Sequence, residues 1–386
     1  MFRMKKIVTI IGARPQIIKA AAISRAIKTS FSAQFQEIIV HTGQHYDPEM
    51  SEVFFDELQI PKPNYNLNVG SGNHGAQTAK MMVGIEDILL SEQPDYIILY
   101  GDTNSTLAGS TAASKLHIPI VHIEAGLRSF NKNMPEEINR ILTDHCSTIL
   151  CSPTQAGIDN LQKEGFALHN KAPFTADAPG VFNLGDVMFD NSLYFSELAN
   201  QQMILQSLGI NNQPFVLTTL HRNANTDDKK RLTAIITAIL DLSEQNELIF
   251  VLPIHPRTQK QINAVLSAEV LQRVTHSKYL KIIAPVSFLD MVLLEKNAVL
   301  VITDSGGVQK EAYFFKKPCL ILRPETEWIE IVESGAALLC DADTDLIRNG
   351  FDHFYRHNPE IKFLPLYGNG DAAHKILELI LSNHGD

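Results

Sequence analysis

Positive charge is in short supply in this chain: 33 Lys and Arg stand against 43 Asp and Glu, a formal net charge of -10 over 386 residues. That balance argues against non-specific binding to nucleic acid or to an anionic membrane, because both polyanions are repelled at long range. Cysteine is scarce too. The four present, Cys146, Cys151, Cys319 and Cys340, sit in or beside apolar runs and lack the paired spacing of zinc ligands, so reduced, buried thiols are expected. No apolar run is long enough to span a bilayer, and the first residues carry no small-residue cleavage site, so the sequence reads as cytoplasmic. A Gly-x-Gly-x-x-Gly signature is missing after the first apolar run, which argues against a dinucleotide cofactor at that turn. His41, His45, His74 and His122 show no i, i+4 pairing around a glutamate, and no metal is expected. What is present is a soluble balance, 45% hydrophobic and 20% charged, over a length that suggests two domains.

Short runs rich in Val, Ile and Leu alternate with longer helical stretches, the pattern of parallel strands buried on both faces. In the first half, strands are expected near 6–11, 36–41, 96–100, 119–123 and 148–151, and helices near 15–29, 74–91, 104–116, 135–146 and 153–164. The last helix has Ser152 as its N-cap candidate, Pro153 at the first position and Gln155 as a capping-box partner. The segment from Asn170 to Gly180 carries Pro173, Pro179 and a glycine, and reads as a loop next to a domain boundary. A second alternation follows, with strands near 214–220, 248–253, 280–284, 298–303, 318–322 and 336–340, and a final helix near 370–382. The expected class is α/β: two Rossmann-like doubly wound domains, 1–180 and 181–367, facing a central cleft on which both sets of strand C-termini open.

The most informative stretch is Val301-Ile302-Thr303-Asp304-Ser305-Gly306-Gly307, an apolar strand that runs into a Ser-Gly-Gly turn and opens a helix. Free N–H groups at a helix N-terminus attract an anion, and glycines remove the Cβ atoms that would hold a diphosphate off the backbone. Glu311, within the next two turns, can accept hydrogen bonds from a ribose diol just beyond the phosphates. The competing reading is a loop whose glycines serve packing alone. The N-terminal strand also ends in glycine, Gly12-Ala13-Arg14-Pro15, with Arg14 and Lys19 as flanking cations. Arg14, Lys19, Arg222, Arg257 and Arg323, gathered locally, would let an acidic chain hold an anionic substrate.

Polar groups accumulate at the other strand ends. Asp102 and Glu124 follow adjacent strands, and a carboxylate at such a mouth is partly desolvated, which raises its pKa toward an acid–base range. The alternatives are an N-cap for Asp102 and an ion pair with Arg128 for Glu124. Glu136 and Glu137 open a helix whose apolar stripe, Ile138, Ile141, Leu142 and His145, is expected to be buried, with His145 a satisfied core residue; the two glutamates there either complement the helix dipole or serve chemistry. His221 and His255 end two strands of the second half, as acid–base groups or as donors to phosphate.

These motifs together resemble the non-hydrolysing UDP-N-acetylglucosamine 2-epimerases over nearly the whole chain. The resemblance is carried by Gly12-Ala13-Arg14-Pro15 with Lys19, Thr42-Gly43-Gln44-His45, Gly101-Asp102-Thr103, the run His122 to Arg128, Pro135 to Arg140, His221-Arg222, Thr303 to Gly307 with Glu311, and Arg323 with Thr326-Glu327. It implies a GT-B-like fold whose last helix, 368–386, packs back on the first domain. It also implies inversion at C2 of UDP-GlcNAc to UDP-ManNAc, for surface polysaccharide, by a cytoplasmic homodimer without nicotinamide or metal. Asp102, Glu124 and Glu136 correspond to the family's acid–base carboxylates and His221 to its catalytic histidine. Arg14, Lys19, His255, Ser305, Gly306, Gly307, Glu311 and Arg323 correspond to UDP-sugar ligands. Departures at Asn223-Ala224-Asn225 and Trp328-Ile329-Glu330 bear on the sugar substituents, and Gly75-Ala76-Gln77-Thr78 stands where some members carry a patch for a second, activating UDP-GlcNAc; a UDP-2,3-diacetamido-2,3-dideoxy-glucuronate 2-epimerase is left open as an alternative. A UDP-sugar-dependent GT-B glycosyltransferase is the alternative from another class.

Overall fold

The apolar runs become strands of two wholly parallel sheets in the computed structural model, which describes residues 3–44 and 59–383. In the first sheet the order is β3-β2-β1-β4-β5-β6-β7, from β1 (Lys5–Ile11), β2 (Phe35–His41), β3 (Tyr65–Asn66), β4 (Tyr96–Tyr100), β5 (Ile120–Ile123), β6 (Ile149–Ser152) and β7 (Gly180–Asn183). The second runs β10-β9-β8-β11-β12-β13, from β8 (Phe215–Thr219), β9 (Ile249–Pro253), β10 (Leu280–Ile283), β11 (Leu300–Thr303), β12 (Cys319–Ile321) and β13 (Ala337–Leu339). Both sheets grow outward in each direction from their first strand, so each reverses order beside it, between β1 and β4 and between β8 and β11. Loops leaving the strand ends at such a reversal splay apart and open a crevice, which is where ligands of doubly wound sheets bind.

Burial explains why the strands read as continuous apolar runs. Ile7, Val8, Ile10 and Ile11 of β1 are wholly buried, as are Val216 and Leu217 of β8, because helices cover both faces of each sheet. Each such side chain contributes roughly 1.5–3 kcal/mol relative to exposure. The chain divides into two units, 1–193 with 365–386, and 194–364. The division thus falls at Leu193/Tyr194, and not at 180/181, since the segment 180–183 is itself the edge strand β7 paired with β6. The last helix, Ala372–Ser382, lies in the first unit, where both Asp190 carboxylate oxygens accept the amides of Ala372 and Ala373 at 3.1 and 2.8 Å.

Two local expectations are corrected. The helix expected from 153 begins at Gln155, with Thr154 as N-cap accepting the Gly157 amide, while Ser152 ends β6 and its hydroxyl bonds the Thr154 carbonyl. The helix Pro135–Cys146 is turned over: Glu137, Asn139, Arg140, Thr143 and Asp144 are buried, whereas Ile138, Leu142 and His145 are exposed. His145 is therefore no core residue; its ring packs at a tilt against Phe166, centroids 4.8 Å apart. No helix among the described residues is long and apolar enough to cross a membrane.

Candidate active site

In the first unit the crevice is built around Gln16. Its Oε1 accepts the amides of Gly12 and Ala13 at 2.9 and 3.2 Å, and its Nε2 donates to Tyr100 O and Thr106 Oγ1, both at 3.0 Å. Amides that a phosphate would need are thus already used inside the protein, so this turn is a brace and not a diphosphate cradle. Arg14 stands exposed at the start of the helix Arg14–Ser30. Lys19, one turn on, reaches the other way and forms an ion pair with Glu124.

Glu124 follows β5 with a φ of 75°, a left-handed conformation that a glutamate adopts only under constraint. Its carboxylate and Lys19 press against Gly101: a Cβ there would sit 3.1 Å from Glu124 Oε2 and 3.3 Å from Lys19 Nζ, and the φ of 61° adds a second demand for glycine. Next in sequence, Asp102 pairs with Arg140 at 2.6 Å. Burial raises the Asp102 carboxyl above its usual range; Arg140 and Lys19 pull it down and Glu124 pushes it up. Solvent at its side chain, 28% exposed, limits that rise. Neither bland alternative is realised. Thr103, not Asp102, caps the helix Asn104–Lys115, and Arg128 pairs with Asp144 and Glu164, not with Glu124.

The buried polar face of the helix Pro135–Cys146 supports this cluster. Asn139 holds the Asp102 carbonyl at 2.8 Å, and Glu137 accepts the amides of Ser129 and Phe130, each at 2.9 Å, while bonding Arg140 at 3.0 Å. His122 spans the Gly101 carbonyl at 2.8 Å and Asp144 at 2.7 Å. Glu136 stands exposed in the first turn, outside this network among the described residues, and its neighbour Glu137 is the glutamate turned inward. The sequence reading named Glu137 and Arg140 without their inward roles and missed Asp144, although their i, i+3, i+7 spacing marks a polar stripe as plainly as the apolar one. Thr42 and Gln44 meet Ser105 at 2.8 and 2.7 Å, and His45 lies outside the described residues.

In the second unit the switch point gathers another set. Asp304, fully buried, accepts the amides of His221 and Arg222 and the Asn225 side chain at 3.0–3.2 Å, and pairs with His221 Nδ1 at 3.1 Å. Burial alone would raise its pKa, but those bonds outweigh it and hold the carboxyl below its usual range. His221, its side chain 55% exposed, is thereby oriented from behind. Asn225 also donates to Leu322 O and accepts Arg231, so the departure at 223–225 keeps a structural asparagine.

Ser305 caps the helix Gly306–Phe314 by accepting the Val308 amide at 3.4 Å. A Cβ on Gly306 would meet nothing nearer than Glu327 Oε2 at 3.5 Å, with Arg222 NH2 at 3.9 Å; one on Gly307 would meet nothing nearer than Ser305 Oγ at 3.8 Å. Neither glycine is required by packing or by a left-handed backbone. Trp328 Nε1 donates to Gly306 O at 3.0 Å, and its ring receives Lys310 Nζ at 4.0 Å, so the Trp328 departure packs directly on the loop. Arg323 has both ends of its fork on Glu327 at 2.8 Å. His255 caps the helix Pro256–Val265 after β9, next to β8, and Arg257 is committed to Asp227 and Asn223.

Among the described residues, no group of three or more His, Cys, Asp or Glu is placed to hold a metal ion. All four cysteines are free, and burial pushes the Cys151 thiol up to about 12, where it is inert at neutral pH.

Two parallel sheets of this order, each with its polar groups at the reversal, place the chain in the GT-B-like fold class of nucleotide-sugar epimerases and glycosyltransferases. Within that class it belongs to the UDP-N-acetylglucosamine 2-epimerase family, whose model matches residues 28–381. As a UDP-sugar 2-epimerase it is an isomerase. It is 48% identical over 379 residues to the UDP-2,3-diacetamido-2,3-dideoxy-D-glucuronate 2-epimerase of Pseudomonas aeruginosa, covering 97% of this chain and 99% of that one. It is 47% identical over 377 residues to a UDP-N-acetylglucosamine 2-epimerase homolog of Methanococcus maripaludis, with the same coverage. The crystal structure of the Methanocaldococcus jannaschii UDP-GlcNAc 2-epimerase in complex with UDP-GlcNAc and UDP matches with a TM-score of 0.81 at 39% identity, covering 97% of this chain and 99% of that one.

Proposed function

We propose that the chain interconverts UDP-GlcNAc and UDP-ManNAc, with the second unit holding UDP and the first supplying the groups that move the proton at C2. The observation that carries the nucleotide half is the pair Gly306-Gly307. Glycine is the poorest helix former after proline, yet at neither position does the protein need one. What an absent Cβ leaves open there is room for a diphosphate to reach the first two amides of a helix, which have no intrahelical acceptor. Arg222 adds the nearby cation, and Glu311, whose Oε2 lies 3.9 Å from the Cβ position of Gly307, adds an acceptor for the ribose hydroxyls.

The chemistry explains the rest of the site. A C2 proton with no neighbouring carbonyl is not acidic, so the C1–O bond to UDP breaks first or in concert, and positive charge at C1 acidifies C2–H. UDP leaves as the C2 proton is taken, giving 2-acetamidoglucal; UDP then adds back to C1 while a proton is delivered to the other face of C2. One group must take a proton and one must return it. Asp102 and Glu124, adjacent at the mouths of β4 and β5 and tied to Lys19 and Arg140, support that assignment as a set. Glu136 keeps its place as a candidate through the family resemblance, and His221 stands by the diphosphate turn as a donor to the departing phosphate.

A second reading, epimerisation of UDP-2,3-diacetamido-2,3-dideoxy-glucuronate, is favoured by the Pseudomonas aeruginosa relative. Arg257 lends it no support, since Asp227 and Asn223 occupy its guanidinium. Incubating the protein with each sugar nucleotide separately and following C1 and C2 signals by NMR decides between them. Conversion of UDP-GlcNAc to UDP-ManNAc is the expected result. Turnover of the diacetamido-glucuronate alone selects the second reading, and turnover of neither rejects both.

A further inference from the structure

That reaction makes no use of a buried acid on the second unit, Glu295. Glu295, on the helix Phe288–Asn297, is wholly buried among Leu289, Val292, Leu293 and Leu294, and neither carboxylate oxygen has a hydrogen-bond donor among the described residues. The polar group that faces it is another carboxyl, that of Glu311 on the helix Gly306–Phe314. Two acceptors in contact make no bond until one of them carries a proton. A buried, unpaired carboxylate is among the most costly groups a protein can contain, so retaining one here calls for a purpose beyond packing.

We propose that Glu295 is a positioning residue for the nucleotide: it donates a hydrogen bond to Glu311 and thereby fixes the Glu311 carboxylate to accept a vicinal diol. The inference rests on the reading of Glu311 as the ribose acceptor. Burial and the charge of Glu311 both hold Glu295 protonated, well above the usual carboxylate range, which makes Glu295 the donor to the partly exposed Glu311. An ionised Glu311 can then accept both ribose hydroxyls, and its orientation is set from the protein side before the ligand arrives. The arrangement also explains why a glutamate survives in an otherwise apolar helix face whose neighbour Lys296 is engaged elsewhere, with Ser196 and Asn200.

The test is calorimetric, with UDP, 2′-deoxy-UDP and inorganic pyrophosphate titrated into the full chain and two variants. The wild type is expected to favour UDP over 2′-deoxy-UDP by roughly tenfold, the worth of one hydrogen bond to a charged acceptor. Glu295→Gln, whose amide donates in place of the acid, should keep UDP affinity and that preference within about threefold. Glu295→Leu, close in volume and free of the buried acid, should weaken UDP about tenfold and lose most of the preference, with pyrophosphate binding unchanged. A Glu295→Leu variant that keeps the preference, or a Glu295→Gln variant that loses it, overturns the proposal alone. Wild type that binds no UDP, or binds both nucleotides equally, overturns the ribose reading of Glu311 and this proposal with it.

Discussion

Asp102 and Arg140 lie 2.6 Å apart, joining the loop at the mouth of β4 to the inward face of the helix Pro135–Cys146. The pair holds in check a carboxyl that burial and Glu124 both push upward. Replacing Arg140 with Gln therefore releases the Asp102 pKa upward, so that less of it is ionised at a given pH. If Asp102 acts as base, the acidic limb of the kcat/KM profile moves to higher pH. A pH–rate profile of the variant checks this, and an acidic limb at the wild-type position would remove Asp102 from the base role.

The Lys19–Glu124 ion pair gives a different signature, because it belongs to the first unit and UDP is assigned to the second. Glu124→Gln should lower epimerisation by about 10²–10⁴-fold, the range for loss of a positioned acid–base group. UDP affinity by calorimetry should stay within about twofold of wild type. Loss of UDP binding in this variant would mean that Glu124 holds the ligand.

Gly306→Ala separates stability from function. The added methyl meets no protein atom closer than 3.5 Å and suits a helix better than glycine. Thermal stability should stay level or rise by up to about 1 kcal/mol. UDP affinity should nonetheless fall at least about tenfold, since the methyl occupies the approach of the diphosphate. A variant that binds UDP normally would return the glycine to a packing role.

Asp144 makes a prediction about folding and pH. Burial opposes its charge, but His122 and Arg128 outweigh burial and depress its pKa. A depressed carboxyl stabilises the fold at pH values above its unfolded pKa of about 3.9, and that contribution is lost as pH falls through the lower folded value. Asp144→Asn should cost roughly 3–5 kcal/mol at pH 7, because Arg128 loses a buried partner. The difference from wild type should shrink in denaturant melts below about pH 4.

Much of the architecture was legible because parallel strands covered on both faces must be apolar throughout, and the runs in β1, β4, β8 and β11 are buried accordingly. Asp102, Glu124 and the Ser305-Gly306-Gly307 turn were legible for a related reason: polar and glycine residues directly after such runs fall at strand mouths. The helix Pro135–Cys146 was misread because periodicity reports which side of a helix is apolar, not which side the protein covers. Here the inward side holds Glu137, Asn139, Arg140 and Asp144, which bind loop amides, carbonyls and other side chains that no local pattern announces. Glu295 was illegible for the same reason, as one acid among leucines whose partner lies on another helix. The edge strand β7 was hidden by the prolines that precede it.

The central claim, reversible rupture of the anomeric bond with proton exchange at C2, is tested most directly by running the reaction in deuterated water with UDP-GlcNAc. The account predicts UDP-ManNAc carrying deuterium at C2, with label also entering recovered UDP-GlcNAc as equilibrium is reached. Product without deuterium at C2 would contradict it.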